Sequence, residues 1–409
     1  MGSDPGVSGA VAERQQAGQQ AGKVSQAGER RDSYIESMRA LGSIAVVVAH
    51  IGVVSFALPP AVPQLDTAAD WGTRGVYGAG NVALFLFFAI SGFVIYMPFA
   101  KRDFAGGRGV DLRRYGINRA LRILPIYYIV VAWVFIIDYD WATFGLWARF
   151  LSFSQNFNDF TVFQFVGVSW SLVVELHFYL LLPLLAWAVA RVAKKSLAKG
   201  AAILGALMVA CVVLRLITVS APTVPDPIWR ASTPTNFQFI LIGMITALFY
   251  LHLQSTRPSW MKGWVLKSDL WLLAAVPFFY PFAFVDYGYD FICLAMSFLI
   301  LGAAAFPYLE RGPITRILWW RPLAVLGLAS YSVYLLHVEV LQFFLGQGIT
   351  SFLGLSLVVI PSSIVIALIS YKLIEEPFLR LRRRWSRAAP KQEQQPAPAP
   401  AAARATSGG

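Results

Sequence analysis

Apolar runs of near twenty residues, divided by short polar loops, set the pattern of this chain. Ten recur, at roughly 38–58, 75–98, 120–138, 168–190, 200–220, 235–253, 268–286, 288–308, 322–345 and 352–375. A helix of that length matches a hydrocarbon layer about 30 Å thick. Backbone in lipid must satisfy its own hydrogen bonds, which makes the helix the natural element for such a run. The pattern predicts an all-α, polytopic transmembrane helical bundle of about ten spans. The stretch 141–155 is too short and too amphipathic to cross and is expected along the membrane surface. Residues 1–33 and 385–409 are poor in large apolar side chains and read as disordered tails around a membrane domain at 34–384.

Charge supplies the orientation. With the N-terminus placed in the cytoplasm, 29 of the 34 Lys and Arg fall in cytoplasmic tails and loops. The other side then holds only Arg74, Arg149 and Arg230, as the positive-inside rule requires. Both termini are therefore expected in the cytoplasm. The same asymmetry explains the net charge of +12 through a lipid bilayer, with no nucleic acid as partner. A composition 57% hydrophobic and only 14% charged agrees, as does a mean hydropathy of +0.59. The first thirty or so residues lack the apolar core of a signal peptide, so the first span is expected to direct insertion into the inner or plasma membrane. Cys211 and Cys293 each sit within an apolar run and read as packing residues. No Walker-type loop, dinucleotide fingerprint, paired metal-ligand motif or nucleophile elbow occurs, so neither a metal nor a bound cofactor is expected.

Polar side chains within spans are costly in lipid, which makes each a candidate for function. Arg39 and His50 stand eleven residues apart, about three helical turns, so they share a face roughly 16 Å apart along the axis. If Arg39 is at the inner surface, His50 is near mid-membrane. It is a candidate proton acceptor, or a histidine that only bonds a neighbouring helix. Ser91 precedes Gly92, where close helix packing outweighs a catalytic serine. Arg119 and Arg122, three apart, share a face and suit a phosphate clamp or a lipid-headgroup contact. Ser171, Glu175 and Tyr179 fall on one face of the fourth span, and Glu175 needs a partner, a proton or water there. Arg215 is expected to pair with a carboxylate or, by the simpler reading, to snorkel to the outer surface. Ser330, Tyr334 and His337 form a polar stripe beside Tyr331, lining a cavity or bonding adjacent helices. Glu375, before Glu376-Pro377, is expected to orient the arginines or to mark the end of the last span.

Taken in order, Arg39-x10-His50, Phe87-Phe-x-x-Ser91-Gly92-Phe93, Arg119-x-x-Arg122-x-x-Pro125, Trp170-Ser-Leu-x-x-Glu175-x-x-Phe178-Tyr179, Ser330-Tyr-Ser-x-Tyr334-x-x-His337 and Glu375-x-Pro377 resemble the acyltransferase 3 family of membrane-bound O-acyltransferases. The likeness covers about residues 33–384. It implies transfer of an acyl group, often acetyl, from cytoplasmic acyl-CoA as co-substrate to a hydroxyl of a cell-envelope glycan, glycolipid or macrolide-like acceptor. Arg39, Arg119 and Arg122 are then expected to hold the acyl-CoA phosphates. His50 is expected to serve as base or as acyl-carrying nucleophile, in a cavity shared with those arginines. Glu175 joins it in the catalytic set; Glu175, Tyr331, Tyr334 and His337 are expected to bind the acceptor or to orient His50, and Ser91 and Glu375 to support the site. The family commonly has Asp three residues before the arginine, where this chain has Glu36. Many relatives also carry an extracytoplasmic hydrolase-like domain after the bundle. None is visible here, so this chain is expected to finish transfer alone or to hand the acyl group on. The competing reading is a transporter or flippase of a lipid-linked glycan, which needs the spans and buried polar groups but no chemistry. A membrane scaffold is a third.

Overall fold

A computed structural model describes residues 33–56, 68–137, 143–219, 227–284 and 289–387. Nearly all of both expected tails lies outside these residues. In chain order the helices are α1 (Ser33–Ser55), α2 (Ala68–Phe104), α3 (Leu112–Ile137), α4 (Phe144–Leu151), α5 (Trp170–Ala193), α6 (Leu197–Thr218) and α7 (Pro227–Ala231). They continue with α8 (Thr233–Thr256), α9 (Ser268–Phe284), α10 (Tyr289–Ala305), α11 (Pro313–Ile317), α12 (Arg321–Leu328), α13 (Ser330–Gly346), α14 (Phe352–Ser370) and α15 (Glu376–Arg387). Among the described residues there is no strand, only an isolated bridge between Lys267 and Glu310.

Among the described residues, seven helical stretches are long and apolar enough to cross a membrane: Ser33–Ser55, Gly78–Phe104, Leu112–Ile137, Gly167–Ala193, Leu197–Thr218, Pro227–Thr256 and Phe352–Leu381. They match seven of the ten expected spans. The expected ninth span is instead two helices, α12 and α13, meeting at 70°. The seventh and eighth correspond to α9 and α10, of 17 residues each. The expected surface segment contains the eight-residue α4, whose Leu146 and Phe150 are buried while Phe144 is exposed. Its last turn is tied to α3, where Tyr127 Oη donates to the Phe150 carbonyl at 2.8 Å.

The two central helices are α2 and α8, and glycine decides how closely they cross. A Cβ on Gly92 would overlap the Ile240 carbonyl, and one on Gly243 would overlap Ala89 and Phe93 backbone atoms. In a bilayer, helices gain little from hydrophobic burial against each other, so close backbone packing at small residues carries the association. Gly243→Ala is expected to cost about 1–3 kcal/mol, the usual range for overpacking a filled core. Thermal melting in detergent would read this as a lowered Tm, and an unchanged Tm would contradict the tight crossing. The outer helices contrast with this pair. Only 22% of the most apolar window of α6, and of α14, is buried, against 78% for α2. Leu180, Leu184, Ile217, Leu357 and Leu373 point outward, as lipid-facing residues should.

Two local features depart from expectation. Arg215 does not snorkel: it is buried, donates to the Thr235 carbonyl and Asn236 Oδ1 at 3.1 Å each, and lies 5.8 Å from both the Phe85 and Phe239 ring centres. Acceptors near the start of α8 offer the guanidinium more than the surface does. Nor does the last span stop at Glu375-Glu376-Pro377. The chain widens into a π-turn over Tyr371–Glu375 and continues as α15. Pro377 has no N–H to give to the preceding turn, and the π-turn absorbs that interruption.

Candidate active site

One pocket, of about 660 Å³ counted to its open mouth, gathers residues from α1, α2, α3, α5 and α13. Arg39, Arg119 and Arg122 line it together with Ser91, Glu175, Tyr331 and Tyr334. Seven of the ten expected site residues therefore meet in one space. Three guanidiniums face a single lining carboxylate, so the pocket favours an anionic guest.

Each cation is set by its helix. Arg39 is held by Glu36, one turn earlier on α1, with Nη1 3.3 Å from Oε1. The other oxygen of Glu36 is buried without a hydrogen bond. Gly327 brings α12 onto this turn, since a Cβ there would overlap the Glu36 carbonyl. The guanidinium of Arg119 lies 5.8 Å from the Tyr179 ring centre, and its Nε is buried without a partner. Arg122 is in electrostatic reach of Glu36, Tyr179, Glu375 and Glu175. A fork with an unpaired buried donor, next to two more cations, suits phosphate oxygens.

Glu175 is the focus of the opposite wall. Its Oε1 accepts from Ser91 Oγ at 2.5 Å and from the Tyr179 hydroxyl. Ser91 thus has a polar role as well as a packing one. Tyr334 lies 2.7 Å from Ser171 through their hydroxyls and donates to the Val168 carbonyl at 3.1 Å. Tyr331 is tied to α3 through the Ile123 carbonyl, at 3.1 Å. These bonds fix the α5 and α13 sides of the pocket.

His50, His337 and Glu375 stand outside that lining. His50 Nδ1 lies 2.9 Å from the Val46 carbonyl, and its ring centre is 4.9 Å from that of His337, with the ring planes at 70°. His50 is not among the residues that line the pocket holding the arginines; Tyr334, which does line it, has its ring 6.0 Å from that of His337. Nor is Glu175 the group that orients His50; a backbone carbonyl of its own helix does so. Glu375 is buried and accepts from Ser332 Oγ at 2.5 Å, acting on Arg122 through space. Among the described residues, no three His, Cys, Asp or Glu side chains gather as metal ligands.

Comparison with known proteins bears directly on this arrangement. A family model for the acyltransferase domain of acyltransferase 3 matches residues 32–372. The chain belongs to the acyltransferase 3 family. With its seven long apolar helices, this acyltransferase 3 protein is a multi-pass membrane protein. It is 25% identical over 377 residues to YrhL of Bacillus subtilis (strain 168), provisionally named a peptidoglycan O-acetyltransferase. The match covers 84% of this chain but 54% of the relative, so the chain spans about half the length of that curated relative. No solved structure matches.

Some of the acyltransferase 3 pocket escaped the set of expected site residues. Ser171 and Tyr179 belong to it, and their signal was already present as the i, i+4, i+8 face centred on Glu175. Phe87, Leu84 and Ile123 line it too, but an apolar residue in a span carries no mark that separates pocket wall from packing.

Proposed function

We propose that this acyltransferase 3 protein transfers an acyl group, acetyl in the first instance, from cytoplasmic acyl-CoA to a hydroxyl of a cell-envelope glycan. The observation that carries this reading is the convergence of Arg39, Arg119 and Arg122 on one pocket in a chain of this family. The guanidiniums receive the phosphates of the donor. Arg39 and His50 stand roughly 16 Å apart along α1. An extended pantetheine arm is comparable in length, so a donor anchored at Arg39 can present its thioester near the level of His50. Reaching it requires the Tyr334 side of the pocket to yield.

In the reaction, the acceptor oxygen bonds to the thioester carbonyl carbon and the carbon–sulfur bond breaks. The base removes the hydroxyl proton, and the departing CoA thiolate takes it up. His50 is the proposed base: with Nδ1 on the Val46 carbonyl, its other ring nitrogen keeps a lone pair that can take the hydroxyl proton. Glu175 is proposed to steer the acceptor hydroxyl, with Ser91, Tyr179, Tyr331 and Tyr334 supporting it. The YrhL name favours a peptidoglycan-like sugar, and the excess of Lys and Arg in one set of loops favours donor capture from the cytoplasm.

The test is mass spectrometry of envelope glycans and small molecules from cells with and without the protein, paired with CoA release by the purified protein in nanodiscs. Loss of an O-acyl mark on deletion, and acceptor-dependent CoA release, are expected. Unchanged O-acylation together with acyl-CoA-independent movement of a lipid-linked glycan would replace this reading with the transporter.

A further inference from the structure

The histidine pair is chemically more specific than its apolar surroundings require. A carbonyl oxygen can only accept, so the contact between His50 Nδ1 and the Val46 carbonyl at 2.9 Å places the hydrogen on Nδ1. The same holds for His337, whose Nδ1 lies 2.7 Å from the Tyr334 carbonyl and 3.2 Å from that of Val333. Both neutral rings are thereby held as Nδ1–H tautomers, each with its Nε2 as a lone pair. Two such lone pairs cannot bond each other. His337 Nε2 is accordingly buried and without a hydrogen bond, although the rings are 4.9 Å apart. A buried polar atom left unpaired calls for an explanation. Adding one proton supplies it: an Nε2–H on one ring can donate to the Nε2 lone pair of the other.

We infer that His50 and His337 form a tautomer-locked pair that takes up one proton between their two Nε2 atoms, with His337 as the positioning residue for His50. The inference rests on the proposed role of His50 as base. His50 is half-buried, whereas His337 is fully buried, so substrate meets the first ring and the second stands behind it. The proton removed from the acceptor hydroxyl goes to His50 Nε2, is shared with His337 Nε2, and returns to the thiolate. No oxidant or further reactant enters.

The surroundings leave the pair to itself. Among the described residues, the titratable rings that meet the pair are each other's, 4.9 Å apart, and that of Tyr334, 6.0 Å from His337. Glu339, two residues beyond His337, lies on another face of α13. Val47 and Ile51 of α1, Val333 of α13 and Val359 of α14 belong to one buried apolar cluster.

The full chain has four histidines, so labelling histidine with nitrogen-15 in nanodiscs gives a tractable spectrum. Signals assigned through His50→Gln and His337→Asn should report two Nδ1–H tautomers. On acidification the two rings should respond together, and His337→Asn should uncouple His50. An Nε2–H tautomer at either ring, or independent titration of the two, overturns the inference. His337→Asn keeps a donor for the carbonyls but removes the Nε2 lone pair, so it separates anchoring from proton sharing. With fold confirmed by melting, its kcat for acyl transfer should fall about 10-fold to 100-fold, the scale of a lost hydrogen bond to a charged group, at unchanged KM for acyl-CoA. Wild-type kcat in His337→Asn overturns the positioning role. Coupled rings in a protein that transfers no acyl group would instead overturn the proposed function and leave the pair standing.

Discussion

His50→Ala is expected to lower kcat for acyl transfer by about 10²–10⁴-fold, the usual contribution of a positioned general base. The KM for acyl-CoA should barely change. The reason is geometric: His50 lies outside the pocket lining, while the three guanidiniums that line the pocket stay in place. The fold should persist, because the ring's single hydrogen bond is to the Val46 carbonyl of its own helix. CoA release in nanodiscs, beside a melting curve, measures both quantities. Unimpaired transfer by a properly inserted His50→Ala protein would remove the base from its place. Glu175→Gln is the informative companion. Glu175 lines the pocket and accepts from Ser91 and Tyr179. If the proton is taken there instead, the large loss moves to Glu175→Gln and His50→Ala stays active.

The periodicity of the chain carried most of the helical layout, because a span advertises itself by length and composition alone. It carried direction poorly. The run 322–345 reads as one span, yet α12 and α13 meet at 70° where Gly327 packs α12 onto the Glu36 carbonyl. The same limit shaped the site. Arg119 with Arg122, and Glu175 with Ser171 and Tyr179, were legible because each set lies on one helix, where spacing fixes the shared face. The pairing of His50 with His337 joins α1 to α13, and nothing local in either helix names the other. Arg215 failed for a similar reason: a lone arginine near a span end suggests the surface, whereas its acceptors come from Thr235 and Asn236 at the start of α8.

Arg119→Ala and Arg122→Ala are each expected to weaken acyl-CoA binding by about 10-fold to 100-fold, the range for losing hydrogen bonds to a charged group. The two should not behave alike in stability. Arg119 has a buried Nε without a partner and a ring contact with Tyr179, so its removal relieves a desolvation cost and gives up only a weak cation–π contact. The melting temperature of Arg119→Ala should therefore hold or rise as affinity falls, the trade expected of a side chain kept for binding. Arg122 stands amid Glu36, Glu175 and Glu375. Removing it leaves those carboxylates with less opposing charge, so Arg122→Ala should lose stability as well as affinity. Lysine at either position should restore charge but not the planar fork, giving partial recovery. Calorimetry with desulfo-CoA and with its analogue lacking the 3′-phosphate completes a double-mutant cycle for each arginine. Coupling to the 3′-phosphate marks the arginine that grips it, while coupling only to the full-length ligand marks a grip on the diphosphate. Unaltered affinity in both alanine variants would mean that the donor phosphates bind elsewhere, and the pocket would then need a different anionic guest.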